Sequence, residues 1–240
     1  MPPDRGAPVD LSRQSGSLAE GLRATCNPLR DALEAAATYG LIVLVIWLPD
    51  VWVGLGDLSA GERWQRNLFR AAFALPVLVI FALGIRRTWP DPNRLGLGRD
   101  GWKKAACLAL PVLFLGLGVL FLLWARAGYP WRFENKVRLL VYPVWALLQQ
   151  VYFLGFLQPR FERLAPGRPA VAATGCLFAL IHLPNLPLAG LTLPFGLVYA
   201  SIFGRTRNLY ALAVVHGILG ALLDEVIDLN LVVGPNYWRL

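Results

Sequence analysis

Four polar side chains lie within apolar stretches of the chain and are the strongest candidates for chemistry. Gln149 and Gln150 follow one another in "WALLQQVYFLGF", while His182 and His216, the only two histidines, lie in "FALIHLPN" and "HGILG". An imidazole in hydrocarbon stays neutral and requires a hydrogen-bonding partner, and an amide both donates and accepts hydrogen bonds. Together, two amides and two imidazoles could hold a water molecule and polarise a carbonyl group.

The apolar runs that carry these residues are long enough to cross a membrane. The 240-residue chain is 56% hydrophobic and 16% charged, with a mean hydropathy of +0.51, whereas soluble domains hold about 25% charged residues. We therefore predict an all-α polytopic membrane bundle of seven or eight transmembrane helices. The spans that we expect are residues 35–54, 67–85, 105–125, 139–158, 168–184, 188–204 and 209–226, and "LNLVV" at 229–233 could form an eighth.

Two features of the sequence bear on the division and orientation of these spans. Pro184 and Pro187 interrupt helical hydrogen bonding at "HLPNLP", so we separate the fifth span from the sixth there. Successive loops between the predicted spans lie on alternate sides of the membrane, and most of the 23 Lys and Arg residues fall on the same side as the N-terminus. Because positively charged loops are enriched on the cytoplasmic side, this predicts a cytoplasmic N-terminus. We expect residues 1–34 to form a polar cytoplasmic segment and residues 35–240 one transmembrane bundle.

The charge distribution also bears on partners and compartment. The net charge of +8 is scattered through the loops, without the concentrated basic stripe that a nucleic-acid-binding protein carries. We predict the lipid bilayer as the main partner and no nucleic acid. The three cysteines follow no paired spacing, so no disulfide framework is predicted. We expect an integral membrane protein of a bacterial inner (cytoplasmic) membrane.

The candidate residues fall at a similar depth in these spans. At about 1.5 Å per residue, Gln149, His182 and His216 lie within one or two helical turns of the middle of the bilayer, on three separate helices. Two interpretations are open at this point. The side chains could simply join the helices, each interhelical hydrogen bond contributing about 0.6–2 kcal/mol. Alternatively, they could line a water-holding cavity inside the bundle.

The same three stretches resemble, in order and spacing, the motifs of the CPBP family of intramembrane proteins. That family comprises CAAX prenyl endopeptidases and bacteriocin-processing or bacteriocin-immunity proteases, and its motifs are EExxxR, FxxxH and HxxxN. The resemblance covers a CPBP-like core at about residues 135–225. The second motif is intact at Phe178 and His182, and His216 is intact in the third. The remaining motif positions differ: the two glutamates, the arginine and the asparagine are Gln149, Gln150, Leu154 and Gly220.

The resemblance implies a function and roles for these residues. In the family, the first glutamate and the first histidine activate a water that attacks a peptide carbonyl, and the second histidine and the asparagine stabilise the oxyanion. It therefore implies an intramembrane endopeptidase that hydrolyses a membrane-embedded, transmembrane or prenylated peptide without a cofactor. The catalytic positions would be Gln149, Gln150, His182 and His216.

The departures from the motifs are mutually consistent. A carboxamide cannot accept a proton, so Gln149 cannot serve as a general base, a role that supplies a factor of about 10²–10⁴. An arginine inside a bundle is tolerated mainly beside a carboxylate, so a leucine at 154 accompanies the loss of both acids. The two acids and the arginine of the motif are thus all replaced by neutral residues. Because no cation remains beside residue 149, Gln149→Glu alone should destabilise the bundle.

Two functions are compatible with this neutral site. His182 or His216 could act as the base in place of the missing carboxylate, which retains hydrolysis. Alternatively, the protein could be catalytically silent and use the cavity to bind a lipid, a peptide or a transmembrane client. A zinc site has little support, because two histidines lack a third ligand, and we predict no metal.

Four further residues are candidates for binding. Tyr142 and Tyr152, seven residues before and three after Gln149, could bring hydroxyl groups to the same network or could simply pack against it. Phe178 belongs to the intact motif. Asn185 is typical of a turn and could also help to hold the mouth of the cavity.

Overall fold

A computed structural model describes residues 27–53, 60–88, 95–127 and 136–226, and within these ranges the chain forms helices and turns without any β-strand. Most of the predicted segment 1–34 and the possible eighth helix at 229–233 lie outside the described residues. The α-helices are α1 (Pro28–Val53), α2 (Ala60–Thr88), α3 (Trp102–Ala127), α4 (Lys136–Gln150), α5 (Gln158–Leu164), α6 (Arg168–Leu180), α7 (Leu186–Thr206) and α8 (Tyr210–Val226). A π-helical segment, Val151–Leu157, joins α4 to α5 without a break.

The helices have the length and composition of a membrane protein. Within the part of the chain that the structure describes, four stretches are long and apolar enough to cross a bilayer, and these are Pro28–Leu48, Trp102–Arg126, Leu140–Leu164 and Leu186–Thr206. Three shorter apolar helices accompany them, at Ala74–Arg86, Arg168–Leu180 and Tyr210–Leu223. Large apolar side chains such as Phe114 point outward, 68% exposed, as is expected of a surface that faces lipid. The prediction of an all-α polytopic membrane protein is confirmed at this level.

The predicted break between the fifth and sixth spans is also confirmed, because α6 ends at Leu180 and α7 begins at Leu186. One detail of the prediction is wrong: His182 lies in the turn after α6 and not inside a helix. Proline disfavours the helical conformation of the residue before it, so the helix ends ahead of Pro184. Asn185 then caps α7, since its side-chain oxygen accepts a hydrogen bond from the Leu188 amide at 3.0 Å.

Glycines bring the helices of the C-terminal half close together. Helix α8 packs against both α3 and α4, and α6 packs along α7. A Cβ atom on Gly217 would lie 2.5 Å from the Cα atom of Pro143 on α4, and one on Gly175 would lie 2.9 Å from the Leu197 amide on α7. Small residues at helix interfaces permit such close approach of two backbones in a membrane. These contacts set α4, α6, α7 and α8 around a common interior.

The π-helical segment changes the direction of the side chains that follow Gln149. Its hydrogen bonds run from residue i to i+5, so its turns are wider than those of an α-helix. Tyr152, three residues after Gln149, consequently does not share the face of the amide. Its hydroxyl donates to Thr38 Oγ1 of α1 at 3.1 Å, and its ring is buried.

Candidate active site

A cavity of about 350 Å³ lies among α1, α3, α4, α6, α7 and α8. Most of its lining is apolar, including Phe178, Leu191 and Leu219. Its polar lining residues come from α4, from α7, from α8 and from the turn after α6, and they are Tyr142, Gln149, His182, Thr192, Tyr199 and His216. No charged residue of the described chain lines it. The cavity therefore offers hydrogen-bonding groups in a neutral and largely apolar enclosure.

His182 is fixed by the end of helix α6. Its Nδ1 lies 2.8 Å from the carbonyl oxygen of Phe178, which is one of the last carbonyl groups of α6 and has no further helical turn to bond it. Because a carbonyl only accepts, Nδ1 carries the hydrogen, and Nε2 keeps its lone pair. The spacing of four residues in FxxxH places the ring beside this carbonyl. The second neighbour of Nδ1, Thr192 Oγ1, lies at 3.4 Å.

His216 is held by a group of the opposite kind. The amide nitrogen of Gln150, which is 2% exposed, lies 3.2 Å from its Nδ1. Because an amide nitrogen only donates, Nδ1 of His216 accepts, and the ring hydrogen is then on Nε2. With both Nδ1 atoms engaged, His182 retains an acceptor nitrogen and His216 retains an N–H donor.

Aromatic rings hold the two imidazoles in place. The ring centroid of Phe178 lies 5.4 Å from that of His182 and 5.5 Å from that of His216, in edge-to-face arrangements. The ring of Tyr199 lies 6.0 Å from His216. Such contacts restrict the rotation of the imidazoles without neutralising or adding charge. Phe178 of the second motif thus contacts both histidines.

The two amides have different environments although they are consecutive. Gln149 lines the cavity and forms no hydrogen bond with any residue that the structure describes. Gln150 is buried, and it borders a small void together with Leu154. Leu154, at the position of the family's arginine, is 2% exposed. The side chain at 154 therefore offers apolar contact, and no cation, to the glutamine pair.

Tyr142 occupies the space beside Gly220, the position of the family's asparagine. A Cβ atom on Gly220 would lie 2.5 Å from Cε1 of Tyr142 and 3.1 Å from its hydroxyl oxygen. The same phenol ring lies 6.3 Å from the ring of His216. The absence of a side chain at 220 thus makes room for the hydroxyl group of Tyr142 at the wall of the cavity.

The structure brings most, but not all, of the sequence-predicted residues together. Tyr142, Gln149, Phe178, His182 and His216 line one cavity, and Gln150 contacts it through His216. Tyr152 and Asn185 do not line it: Tyr152 is turned toward α1, and Asn185 acts at the start of α7. Thr192 and Tyr199 are not predictable from the sequence, because a hydroxyl group in an apolar span carries no signal of where it points.

A second polar cluster, also missed, lies where the π-helical segment meets α5. Arg160 is fully buried, and its Nη2 lies 2.7 Å from Oε2 of Glu34 on α1, while its Nη1 donates to the carbonyl of Phe156. Asp31, one turn earlier on α1, pairs with Arg163 at 2.6 Å. The available signal was the pair of acids three residues apart at the start of the first span. Within the described ranges, no group of three His, Cys, Asp or Glu side chains could hold a metal ion.

Comparison with known proteins bears on the region that forms this cavity. Residues 131–222 match the family model described as type II CAAX prenyl endopeptidase Rce1-like. No curated protein and no solved structure matches the chain. The matched residues include all three motif stretches, so the resemblance predicted from them is confirmed. Residues 131–222, which carry the cavity-lining motifs, are therefore similar to the Rce1-like CAAX prenyl endopeptidase family, within an integral membrane protein.

Proposed function

We propose that this protein is an intramembrane endopeptidase that hydrolyses a peptide bond in a membrane-embedded or lipidated substrate, with His182 and His216 acting on either side of one water molecule. The observation that carries the proposal is the pair of complementary imidazoles in one cavity. The Phe178 carbonyl leaves His182 with a free lone pair, whereas the Gln150 amide leaves His216 with a free N–H. Hydrolysis requires one group of each kind.

The base in this scheme is Nε2 of His182. It takes a proton from the water, and the resulting hydroxide forms a bond to the carbonyl carbon of the substrate. When the carbon–nitrogen bond breaks, the proton on His182 passes to the leaving amine. Gln149 lines the same cavity, and its amide oxygen can accept a hydrogen bond that orients the water. A histidine base of this kind removes the need for a glutamate at 149.

The oxyanion in this scheme receives hydrogen bonds from Nε2–H of His216 and from the hydroxyl group of Tyr142. Tyr142 fills the space that the side chain of residue 220 leaves open, and it lies beside the His216 ring. A phenol hydroxyl is a good donor, so it can supply what the asparagine of the family motif supplies. One such donor contributes a factor of about 10²–10³ in rate.

We further propose the topology that places this chemistry in the membrane. Seven helical rods would each cross the bilayer. Six of them are the single helices α1, α2, α3, α6, α7 and α8, and the seventh is α4 together with the π-helical segment and α5. Residues 1–34 would lie in the cytoplasm and residues 35–240 would form one bundle, in a bacterial inner membrane. The distribution of Lys and Arg between alternate loops supports this orientation.

A cleavage assay tests the proposed activity. The purified protein would be incubated with prenylated peptides and with transmembrane peptides, and the products would be identified by mass spectrometry. We expect cleavage that His182→Ala reduces by about 10²–10⁴, the contribution of a general base. His216→Ala and Tyr142→Phe should each reduce the rate by about 10²–10³, the contribution of one oxyanion donor.

Tyr210→Phe is the matched control for Tyr142→Phe. Its hydroxyl donates to the Leu97 carbonyl at the other end of α8, away from the cavity, so its activity should equal that of the unaltered protein. Cleavage that survives His182→Ala would overturn the proposal. A protein that cleaves none of these peptides but binds them, with binding retained in both His→Ala variants, would instead be a catalytically silent client-binding protein.

A further inference from the structure

A second cavity lies on the outer surface of the bundle, away from the two histidines. Its volume is about 370 Å³, and the residues that line it come from α3, α6 and α7: Leu108, Val171, Leu197, Val198, Ser201, Ile202 and Arg205. We call it the α7 groove. Helix α7 forms its floor, because five of its residues follow one another at helical spacing, and α3 and α6 each contribute one wall residue. The lining is apolar except for Ser201 and Arg205.

The α7 groove has one polar end. Arg205 lies in the last turn of α7 and is exposed. Leu197 and Arg205 are eight residues apart, so the floor extends for about 12 Å along the helix and ends at the guanidinium group. A ligand that fits this shape has an extended apolar part and an anionic head.

Two more cations come from the helices that form the walls. Lys104 lies one turn before Leu108 on α3, and Arg168 lies one turn before Val171 on α6. Both are exposed and belong to the same end of the bundle as Arg205, since α6 and α7 pack as antiparallel neighbours. Asn208 fixes the start of α3 there, donating to the carbonyls of Gly98 and Asp100 at 2.9 and 3.2 Å. Three helices thus place a cation at one end of the groove.

These cations differ from three other arginines of the bundle. Arg160, Arg163 and Arg207 each form an ion pair with a carboxylate at 2.6–2.7 Å. By contrast, Lys104, Arg168 and Arg205 have no Asp or Glu oxygen within 4.0 Å among the residues described. No carboxylate of the described residues neutralises their charge, and an anionic head group would complement it.

We propose that the α7 groove binds an anionic phospholipid, with one acyl chain along α7 and the phosphate group among Lys104, Arg168 and Arg205. Basic pockets between transmembrane helices bind acidic lipid head groups, and anionic leaflets attract cations near the surface. The bilayer supplies such a ligand at high local concentration. This site is separate from the histidine cavity and does not depend on hydrolysis.

Native mass spectrometry of the purified protein tests the proposal. The protein would be exchanged into detergent containing phosphatidylglycerol or phosphatidylcholine with identical acyl chains. We expect one phosphatidylglycerol molecule to be retained with about 100-fold preference, since each cation near an anionic head group contributes a factor of about five. Lys104→Gln, Arg168→Gln and Arg205→Gln together should abolish the preference. Arg126→Gln, at the opposite end of α3, should leave it unchanged.

Two further arms distinguish the lipid from other occupants. Ser201→Phe, in the middle of the floor, should lower retention of both lipids, because the acyl chain loses its space. Displacement by inorganic phosphate at millimolar concentration would show a simple anion site and would overturn the proposal. Equal retention of the two lipids, equal preference in the triple variant, or dimers formed in place of lipid adducts would overturn it as well.

Discussion

The continuous helical rod from Lys136 to Leu164 carries two buried polar clusters, of which one is neutral and the other is charged. Near its middle, Gln150 lies 3.2 Å from the neutral imidazole of His216, and Gln149 faces a cavity without a charged residue in the described lining. Three turns later, Arg160 is fully buried and keeps its charge beside Glu34. In this bundle a buried charge is thus found where another helix provides an acid in direct contact, and the buried polar groups are neutral where none does.

The largest expected effect comes from breaking the charged cluster. Glu34→Gln leaves the Arg160 guanidinium buried without its nearest carboxylate, which lies at 2.7 Å in the unaltered protein. We expect a loss of about 3–5 kcal/mol in the free energy of unfolding, because the buried guanidinium then keeps only the more distant carboxylate of Asp31, at 4.0 Å. The midpoint of thermal unfolding in detergent measures it.

The matched control for this change is Glu162→Gln. Glu162 pairs with Arg207 at 2.6 Å, but the two side chains are 22% and 43% exposed, so this pair should contribute only about 0–1 kcal/mol. Equal midpoints for the two variants would show that the Arg160 cluster is no more important than a surface pair.

Introducing a charge into the neutral cluster should have the next largest effect. Gln150→Glu places a carboxylate at a position that is 2% exposed and borders Leu154, and we expect it to cost roughly 3 kcal/mol because the ion loses its hydration. Gln149→Glu should also destabilise the bundle, but less, since residue 149 faces the cavity. Unfolding midpoints compare the two. An unchanged unfolding midpoint for both variants would contradict the interpretation that the site around Gln149 and Gln150 disfavours a charged side chain.

The contact between Gly220 and Tyr142 allows a sharper test of the neutral cluster. Gly220→Ala adds a Cβ atom 2.5 Å from the Tyr142 ring, and overpacking of this kind costs about 1–3 kcal/mol. The penalty should disappear in a Tyr142→Ala background, as a double-mutant cycle would reveal. Gly118→Ala on α3, whose Cβ would meet nothing within 4 Å, should instead gain about 0.5–1 kcal/mol from helix propensity. A penalty that persists without the Tyr142 ring would mean that another group fills this space.

The smallest expected effect separates the two tyrosines that flank Gln149. Tyr152→Phe removes one hydrogen bond to Thr38 and should cost about 1 kcal/mol, with peptide cleavage unchanged. Tyr142→Phe should instead lower the rate of peptide cleavage. A cleavage assay and an unfolding curve on both variants make the comparison, and slower cleavage by Tyr152→Phe would contradict the orientation of that ring toward α1.

The sequence predicted the features that depend on local spacing. Apolar runs gave the helices, the prolines gave the break before α7, and the four-residue interval between Phe178 and His182 matched a contact between a helix carbonyl and the next turn. The features that it did not predict depend on residues distant in the chain. Arg160 and Glu34 are 126 residues apart, and no local pattern joins them.

Two features of the candidate site, the direction of Tyr152 and the tautomer of His216, could not be predicted from the sequence for another reason. The direction of Tyr152 follows from the π-helical segment, whose wider turns invalidate the spacing rule for α-helices. The position of the ring hydrogen on His216 depends on which atom of Gln150 faces it across two helices. Neither the wider turn of the segment nor the atom of Gln150 that faces the neighbouring helix can be read from the order of residues along one element.

The proposed hydrolysis depends on opposite tautomers of the two imidazoles, which nitrogen NMR of the histidine rings can determine. The chain contains only two histidines, so selective ¹⁵N-histidine labelling of protein purified without a histidine tag gives one spectrum of two rings, and His182→Gln assigns them. We expect the hydrogen on Nδ1 of His182 and on Nε2 of His216, and we expect Gln150→Glu to alter only the His216 ring. Two rings with the same tautomer, or a His216 ring that does not respond to Gln150→Glu, would contradict the proposal.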